Sequence, residues 1–249
     1  MTTRAVDKDK ARYDAGAQVT REDFICLHRN ENLFAGEVWT EQRIADALRG
    51  ISLDAYPDPT YMPLRSDLAD LYGVEPENVF VGNGSDEVLS DLFGFFRSSY
   101  DEVHLLDTCF KVYYLLAARF GFRVGTLGGN TFETGRIDGP GPDALSFVDS
   151  PNAITGRAAE PSDLRSLAEP KGSFLVWDNA YGEFGEEELP TPWAENVILV
   201  RSFSKFYALA GARVGYCIAS GDCAHGCEGR LQRQHDGGGV GEGGPQADR

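Results

Sequence analysis

The 249-residue sequence lacks a long apolar segment and has few basic side chains. It contains no run of about 18 apolar residues, and residues 1–23 are polar and charged, without the apolar centre of a signal peptide. With 23 Lys and Arg against 39 Asp and Glu, the formal net charge is −16, which disfavours binding to nucleic acid. We therefore expect a cytoplasmic protein that neither spans a membrane nor binds nucleic acid.

Cysteine is scarce as well, which bears on disulfides and metal sites. The five cysteines are Cys26, Cys109, Cys217, Cys223 and Cys227. An odd number of widely spaced cysteines argues against a disulfide scaffold. Cys223 and Cys227 lie near His225 and His235, but neither pair has the spacing of a zinc site, so we expect no metal.

The composition changes once along the chain, near Ser220. Residues 221–249 contain 9 of the 29 glycines and only two large aliphatic residues. Such a segment cannot offset its loss of chain entropy by apolar burial, so we expect a disordered tail. Hydrophobic residues make up 42% of the whole chain, enough for a buried core in the remainder. The predicted division is an N-terminal segment at 1–35, a large domain at 36–220 and the tail at 221–249.

Short apolar runs alternate with amphipathic stretches through the body of the chain. Thr40 and Pro63 are typical first-turn residues of helices that end near Gly50 and Gly73. Further helices are predicted over 85–96, 112–119 and 162–168. Strands are predicted over 79–81, 103–107, 123–127, 145–149, 174–178, 197–202 and 214–218. Buried strands separated by helical crossovers indicate an α/β fold, with a mostly parallel sheet and helices on both faces.

Four polar segments follow predicted strands, at the positions where parallel sheets bind ligands. They are 82–87, 150–156, 178–181 and 202–205. In the first, a turn containing Gly82 and Gly84 leads into the helix that begins at Ser85. Free backbone N–H groups at the positive end of a helix favour a phosphate. A plain tight turn is the alternative, because the turn lacks the third glycine of a dinucleotide motif and the lysine of a P-loop.

Lys205 is the candidate nucleophile, and Asp178 is a candidate acid. Lys205 lies at a strand end beside Ser202 and Ser204, eight residues before Arg213. A lysine in a cleft near another cation loses its proton readily and can attack an aldehyde, although a solvated surface lysine is the alternative. Asp178 ends an apolar strand, where a buried carboxylate needs a cationic partner. Capping of the following turn is the alternative role for Asp178.

Together these segments resemble the fold-type I pyridoxal-phosphate aminotransferases, and among them the histidinol-phosphate aminotransferases. The similar segments occur in the family's order over residues 25–220. They are LHRNENLF at 27–34, YPD at 56–58, GNGSDE at 82–87, SPNAITG at 150–156, DNAYGEF at 178–184 and SFSKFYALAGARVGY at 202–216. The resemblance implies pyridoxal 5′-phosphate as the cofactor, an amino acid and a 2-oxo acid as substrates, and a homodimer.

The resemblance also implies a role for each site residue. Lys205 would bond covalently to the cofactor aldehyde and later move the proton of the substrate Cα. Asp178 would keep the pyridine nitrogen protonated, and Tyr181 would hydrogen-bond the ring oxygen. Phe110 would stack on the ring, and Tyr56 would reach the phosphate bound by a neighbouring subunit. The implied phosphate contacts are Gly84, Ser85, Asp86, Ser202, Ser204 and Arg213.

Two departures from the family pattern bear on activity. Ala153 stands where the family has an asparagine that binds the ring oxygen, and Asn152, one position earlier, is the candidate cofactor contact that could replace it. A hydrogen bond to a charged oxygen is worth about 1.5–3 kcal/mol, so its loss would slow turnover. The family's small C-terminal domain, which carries an arginine for the substrate carboxylate, is missing, so we interpret the chain as truncated. A single-base shift near Gly221 would explain both the truncation and an out-of-frame, glycine-rich tail.

Three functions follow from these observations. The resemblance favours transamination between a 2-oxo acid and an amino acid that is aromatic or similar to histidinol phosphate. Decarboxylation of an amino-acid phosphate is the second, since it uses the same cofactor contacts. A truncated remnant without catalytic activity is the third, because loss of a domain over the site exposes apolar surface and removes the carboxylate anchor.

Overall fold

The computed structural model describes residues 25, 27–34, 38–52, 54–129, 134, 136–185 and 194–220. The predicted tail lies outside the described residues, as do Cys26 and the Cys223 and Cys227 group with its two histidines. Cys109 and Cys217 are buried, and neither forms a disulfide bond with another described residue. Within the described part of the chain, no helix is both long and apolar enough to cross a membrane, and no three potential ligands cluster as a metal site would require.

The helices and strands predicted from the sequence are confirmed, with ends that differ by no more than a few residues. The helices are α1 (Glu41–Leu48), α2 (Met62–Tyr72), α3 (Ser85–Phe96), α4 (Val112–Phe120) and α5 (Pro161–Ala168). The strands are β1 (Val79–Gly82), β2 (Glu102–Leu105), β3 (Arg123–Thr126), β4 (Leu145–Asp149), β5 (Phe174–Asp178), β6 (Val197–Ser202) and β7 (Gly215–Ile218). Short 3₁₀ turns occupy Pro76–Asn78, Gly182–Phe184 and Ala210–Ala212.

Capping residues account for the helix ends. The side chain of Thr40 accepts a hydrogen bond from the Arg43 backbone N–H at the start of α1. Helix α2 ends at Gly73 in the left-handed conformation, and its N–H bonds to the Ala69 carbonyl. The polar and glycine residues that punctuate the sequence therefore act at the positions where the helices begin and end.

The seven strands form one sheet in the order β1-β7-β6-β5-β4-β2-β3. Strand β7 is antiparallel to both of its neighbours, and the remaining pairs are parallel, which confirms the mostly parallel sheet. Because β1 and β6 are both antiparallel to β7, the carboxyl ends of β1, β4, β5 and β6 meet at one edge. Asp149 lies opposite Asp178 in the register, and Gly215 lies opposite both Gly82 and Ser202.

Helices cover both faces of the sheet, as predicted. Successive strand residues alternate between two apolar clusters: Val79 packs in one and Phe80 in the other, because side chains of a strand point to opposite faces. The smaller cluster includes residues of α2, and the larger one includes residues of α3, α4 and α5. This packing leaves the carboxyl edge of the sheet open for polar side chains.

Candidate active site

A cleft of about 400 Å³ lies at the carboxyl edge of the sheet. Its size is within the range of small-molecule sites, roughly 300–1,000 Å³. Nine of the residues implied by the family resemblance line it: Ser85, Asp86, Phe110, Asp178, Tyr181, Ser202, Ser204, Lys205 and Arg213. Gly84 lies beside the cleft, whereas Tyr56 is fully exposed and Asn152 is buried away from it.

The Lys205 amine enters the cleft from the loop that follows β6. Its Nζ donates to the Arg29 carbonyl at 2.9 Å and lies 5.4 Å from the centre of the Tyr181 ring. The positive charge of Lys205 also lowers the pKa of Asp178, so the two side chains interact across the cleft. Lys205 and Asp178 therefore line the same cleft, which is required of an amine and an acid that bind one ligand.

Asp178 is a buried carboxylate at the end of β5. Burial raises its pKa to about 6, and the Tyr113 hydroxyl, which donates to Oδ2 at 2.8 Å, opposes that rise. The second oxygen, Oδ1, accepts from the Ala180 backbone N–H at 3.2 Å. A carboxylate held in this way is oriented and is available to a cation in the cleft. Sequence analysis missed Tyr113, although it lies one helical turn after Phe110.

The polar end of the cleft is an anion cradle at the N-terminus of α3. Ser85 and Asp86 form the first turn of that helix, where free N–H groups carry partial positive charge. Arg213 reaches the same place, 3.5 Å from Asp86, and Ser202 and Ser204 also line the cleft. The charges of Asp86 and Arg213 offset each other at this place. The remaining groups are mainly hydrogen-bond donors, which suit a phosphate.

Two glycines allow the cradle to form. Gly84 has φ +82°, and a Cβ there would lie 2.6 Å from Nη2 of Arg213. A Cβ at Gly215 would overlap the backbone of Gly84 and Ser85, so only glycine lets β7 approach the start of α3 this closely. Gly84 is therefore favoured by its left-handed backbone, whereas Gly215 is required by its close contact with the backbone of α3.

Asn152 does not take the place of the missing asparagine. Its Nδ2 donates to the Thr108 carbonyl at 2.8 Å and to Asp149 at 3.2 Å. Its Oδ1 accepts from the backbone N–H groups of Ile154 and Thr155. An amide has two N–H donors and one oxygen acceptor, so these four bonds occupy it fully. Asn152, the candidate replacement, therefore stabilises its own loop in this structure.

Asp149 is a second acid in the cleft that sequence analysis missed. It lies opposite Asp178 in the register and is 4% exposed. Its Oδ2 accepts from the Ala153 backbone at 2.9 Å, whereas Oδ1 has no hydrogen-bond partner in the described part of the chain. The pKa of Asp149 is raised to about 7, mainly by burial and in smaller part by the charge of Asp178. Its position at the end of a predicted strand is the sequence feature that could have identified Asp149 as a site residue.

A buried ion pair supports the loops behind the cleft. Arg201, 1% exposed, pairs with Glu183 at 2.7 Å and donates to the Asn179 side chain. Asn179 in turn donates to the Ser150 carbonyl at 2.8 Å. These contacts connect strand β6 to the segments that follow β4 and β5. Removing one partner would leave an uncompensated charge in the protein interior, so the network holds these loops in place.

Residues 27–34, which we name the N-terminal strap, cross the mouth of the cleft. Arg29 and Glu31 line the cleft. Asn30 Nδ2 contacts the Tyr181 hydroxyl at 3.0 Å and the Ala153 carbonyl at 3.2 Å. Asn32 Nδ2 donates to the Phe206 carbonyl at 2.9 Å. The strap is therefore held by side-chain hydrogen bonds to Tyr181, Ala153 and Phe206.

The fold and the cleft define the large domain of a fold-type I pyridoxal-phosphate enzyme. A solved histidinol-phosphate aminotransferase from Sinorhizobium meliloti, in complex with pyridoxal 5′-phosphate, has a similar fold with a TM-score of 0.63 at 24% identity, covering 80% of this chain and 57% of that one. L-threonine-O-3-phosphate decarboxylase from Porphyromonas gingivalis is similar at a TM-score of 0.59 and 23% identity, covering 70% of this chain and 54% of that one.

The chain belongs to the aminotransferase class I and II family, whose model matches residues 22–230. A histidinol-phosphate aminotransferase of Synechocystis sp. is 35% identical over 216 residues, which is 84% of this chain and 60% of that protein. The chain thus spans about 60% of the length of this relative. Membership confirms the resemblance drawn from the sequence and confirms pyridoxal 5′-phosphate as the cofactor of the family.

The residues present fit that cofactor. The cradle at α3 suits a phosphate, the Lys205 amine suits an aldehyde, and the buried Asp178 carboxylate suits a protonated pyridine nitrogen. Phe110 provides an aromatic wall. The poorest match is at the ring oxygen, where Ala153 has no polar side chain.

Proposed function

We propose that this chain binds pyridoxal 5′-phosphate and belongs to an enzyme that transfers an amino group from an amino acid to a 2-oxo acid. The observation that carries the proposal is that an amine, a buried acid and an anion cradle share one cleft: Lys205, Asp178 and the start of α3. The relative from Synechocystis makes an amino acid similar to histidinol phosphate the favoured donor class, with aromatic amino acids as the alternative.

Each side chain has a separate task in this proposal. The cofactor, when bound, supplies an aldehyde for amino groups and a cationic ring that accepts electrons from the substrate Cα. Lys205 would hold the aldehyde until the amino group of the substrate replaces it there, and the released amine would then move a proton at the substrate Cα. Asp178 is ionised at neutral pH, since its pKa is about 6, and keeps a proton on the pyridine nitrogen. Tyr181 donates to the ring oxygen, and Ser85, Ser202, Ser204 and Arg213 bind the phosphate.

A homodimer is part of the proposal. Helix α1 has no buried residue, although Ile44 and Leu48 lie on one of its faces with 46% and 57% exposure. Phe34 and Ile51 are also exposed apolar residues, and Tyr56 projects fully into solvent. Exposed large apolar side chains favour association with another subunit, and Tyr56 is available for such a contact. The cytoplasmic location expected from the sequence stays a prediction.

Absorbance spectroscopy tests the proposal directly. The chain is mixed with pyridoxal 5′-phosphate and dialysed, and we expect a visible absorption band that survives in Lys171→Ala, an exposed lysine remote from the cleft, and is lost in Lys205→Ala. A panel of amino donors then separates the candidate reactions. Amino transfer to a 2-oxo acid supports the proposal, and release of carbon dioxide would instead favour a decarboxylase. A chain without any Lys205-dependent band would be the non-catalytic remnant.

A further inference from the structure

Asn30 contacts Tyr181 and Ala153, and Ala153 occupies the position where the family has the ring-oxygen asparagine. Its Nδ2 lies 3.0 Å from the Tyr181 hydroxyl and 3.2 Å from the Ala153 carbonyl. We infer that Asn30 is a positioning residue, which directs the Tyr181 hydroxyl proton into the cleft. The inference rests on the proposed function, because it assigns the ring oxygen of the cofactor as the acceptor of that proton.

The orientation of the Asn30 amide follows from its neighbours. A peptide carbonyl only accepts hydrogen bonds, so the atom that faces the Ala153 oxygen must be nitrogen. The same nitrogen uses its second hydrogen toward Tyr181. An amide nitrogen cannot accept, so the Tyr181 oxygen accepts this bond and its own proton points elsewhere. The Ala153 carbonyl therefore determines which group donates and which accepts in both hydrogen bonds of Asn30.

No other described side chain can take this role. The contact with Asn30 is the only side-chain hydrogen bond that the Tyr181 hydroxyl makes within the described ranges. The amide of Asn152 is fully occupied by its own loop, and Ala153 contributes only its backbone. Position 153 has an alanine and therefore no side-chain amide. Asn30 supplies an amide at this place from the strap, 123 residues earlier in the chain.

The substitution Asn30→Asp reverses the hydrogen-bond polarity at this position and adds a negative charge. Aspartate has nearly the same size and tolerates the left-handed backbone of Asn30, whose φ is 50°. A carboxylate only accepts hydrogen bonds, so it would draw the Tyr181 proton away from the cleft. Asn32→Asp is the matched control: it places the same charge on the strap, where Asn32 contacts Phe206 and not Tyr181.

The readout is the pH at which the visible band of the bound cofactor titrates. In Asn30→Asp we expect the midpoint to rise by about one to two pH units and the Kd for pyridoxal 5′-phosphate to rise about tenfold, since a donor to a charged oxygen is lost. In Asn32→Asp both values should stay close to those of the unchanged chain. In a Tyr181→Phe background, Asn30→Asp should cause no further shift in the midpoint, because the hydroxyl it acts through is absent.

Three results would overturn the inference. The first is an unchanged midpoint in Asn30→Asp, and the second is an equal shift in Asn32→Asp, which would mean that charge on the strap is sufficient. The third is a full shift that persists without the Tyr181 hydroxyl. Absence of any Lys205-dependent band in the unchanged chain is a distinct result, which refutes the proposed function and, with it, the role of Asn30.

Discussion

Replacing Asp149 by asparagine should make the cofactor-free chain increasingly stable, relative to the unchanged chain, as the pH rises. The carboxyl of Asp149 is 4% exposed, and Oδ1 has no hydrogen-bond partner in the described part of the chain. Asparagine keeps an oxygen for the Ala153 N–H and Asn152, and it never ionises. The cost of burying a charge at this position is therefore removed, whereas the shape of the side chain is nearly unchanged.

The magnitude follows from the pKa. Burial raises the pKa of Asp149 from 3.8 to about 7 in the folded chain. Between these values the folded state holds a proton that the unfolded state has lost, so the free energy of unfolding falls as the pH rises. Above the folded pKa the penalty is complete, and at about 1.4 kcal/mol per pH unit it reaches about 4 kcal/mol. Between about pH 5 and about pH 8 the advantage of asparagine should grow by about 2.5 kcal/mol.

Denaturant unfolding at these two pH values measures the effect, with the unchanged chain and Asp149→Asn compared side by side. Asp70→Asn, an exposed residue on α2, removes one carboxylate without changing a buried group and serves as the control. We expect its effect on the free energy of unfolding to be nearly independent of pH. If the free energy of unfolding of Asp149→Asn also shows no pH-dependent gain, ionisation of Asp149 does not destabilise the folded state, and the explanation from burial is wrong.

Two further predictions concern the cleft. Tyr113→Phe removes the donor to Oδ2 of Asp178, so the pKa of Asp178 should rise from about 6 by about one to two pH units. A carbon-13 NMR titration, with the signal assigned through Asp178→Asn, measures this pKa, and an unchanged midpoint would show that the hydroxyl does not stabilise the carboxylate. Gly84→Ala places a Cβ 2.6 Å from Nη2 of Arg213 and should weaken binding of pyridoxal 5′-phosphate roughly tenfold in a fluorescence titration. Gly50→Ala is its control, because Gly50 has φ +88° but open space around its Cα, and equal losses in both variants would attribute the effect to backbone strain alone.

Local sequence was sufficient to predict the secondary structure. Apolar periodicity and punctuating residues such as Thr40 and Gly73 indicated each helix and strand, because these signals act within a few residues of the backbone that they shape. Strand ends also indicated where the site would lie, since parallel strands bring their carboxyl ends to one edge. The segments around Lys205 and Asp178 were therefore recognisable before their distance in space was known.

Side-chain partners were decided by the tertiary structure. The loop around Asn152 captures that amide, so a residue one position from the expected place is not equivalent to it. Asp149 became a second acid only because the register of β4 and β5 sets it beside Asp178. Asn30 meets Tyr181 across 151 residues of sequence.

The sequence by itself determined the strands, the helices and the polar segments that carry the chemistry, since the conformation of each segment depends on near neighbours. Only the packed sheet decided which of those polar groups share a cleft and which are used up by structural hydrogen bonds. The physical reason is that burial, register and the directions of hydrogen bonds depend on residues far apart in the chain, and these determine the ionisation of Asp178 and the orientation of Tyr181.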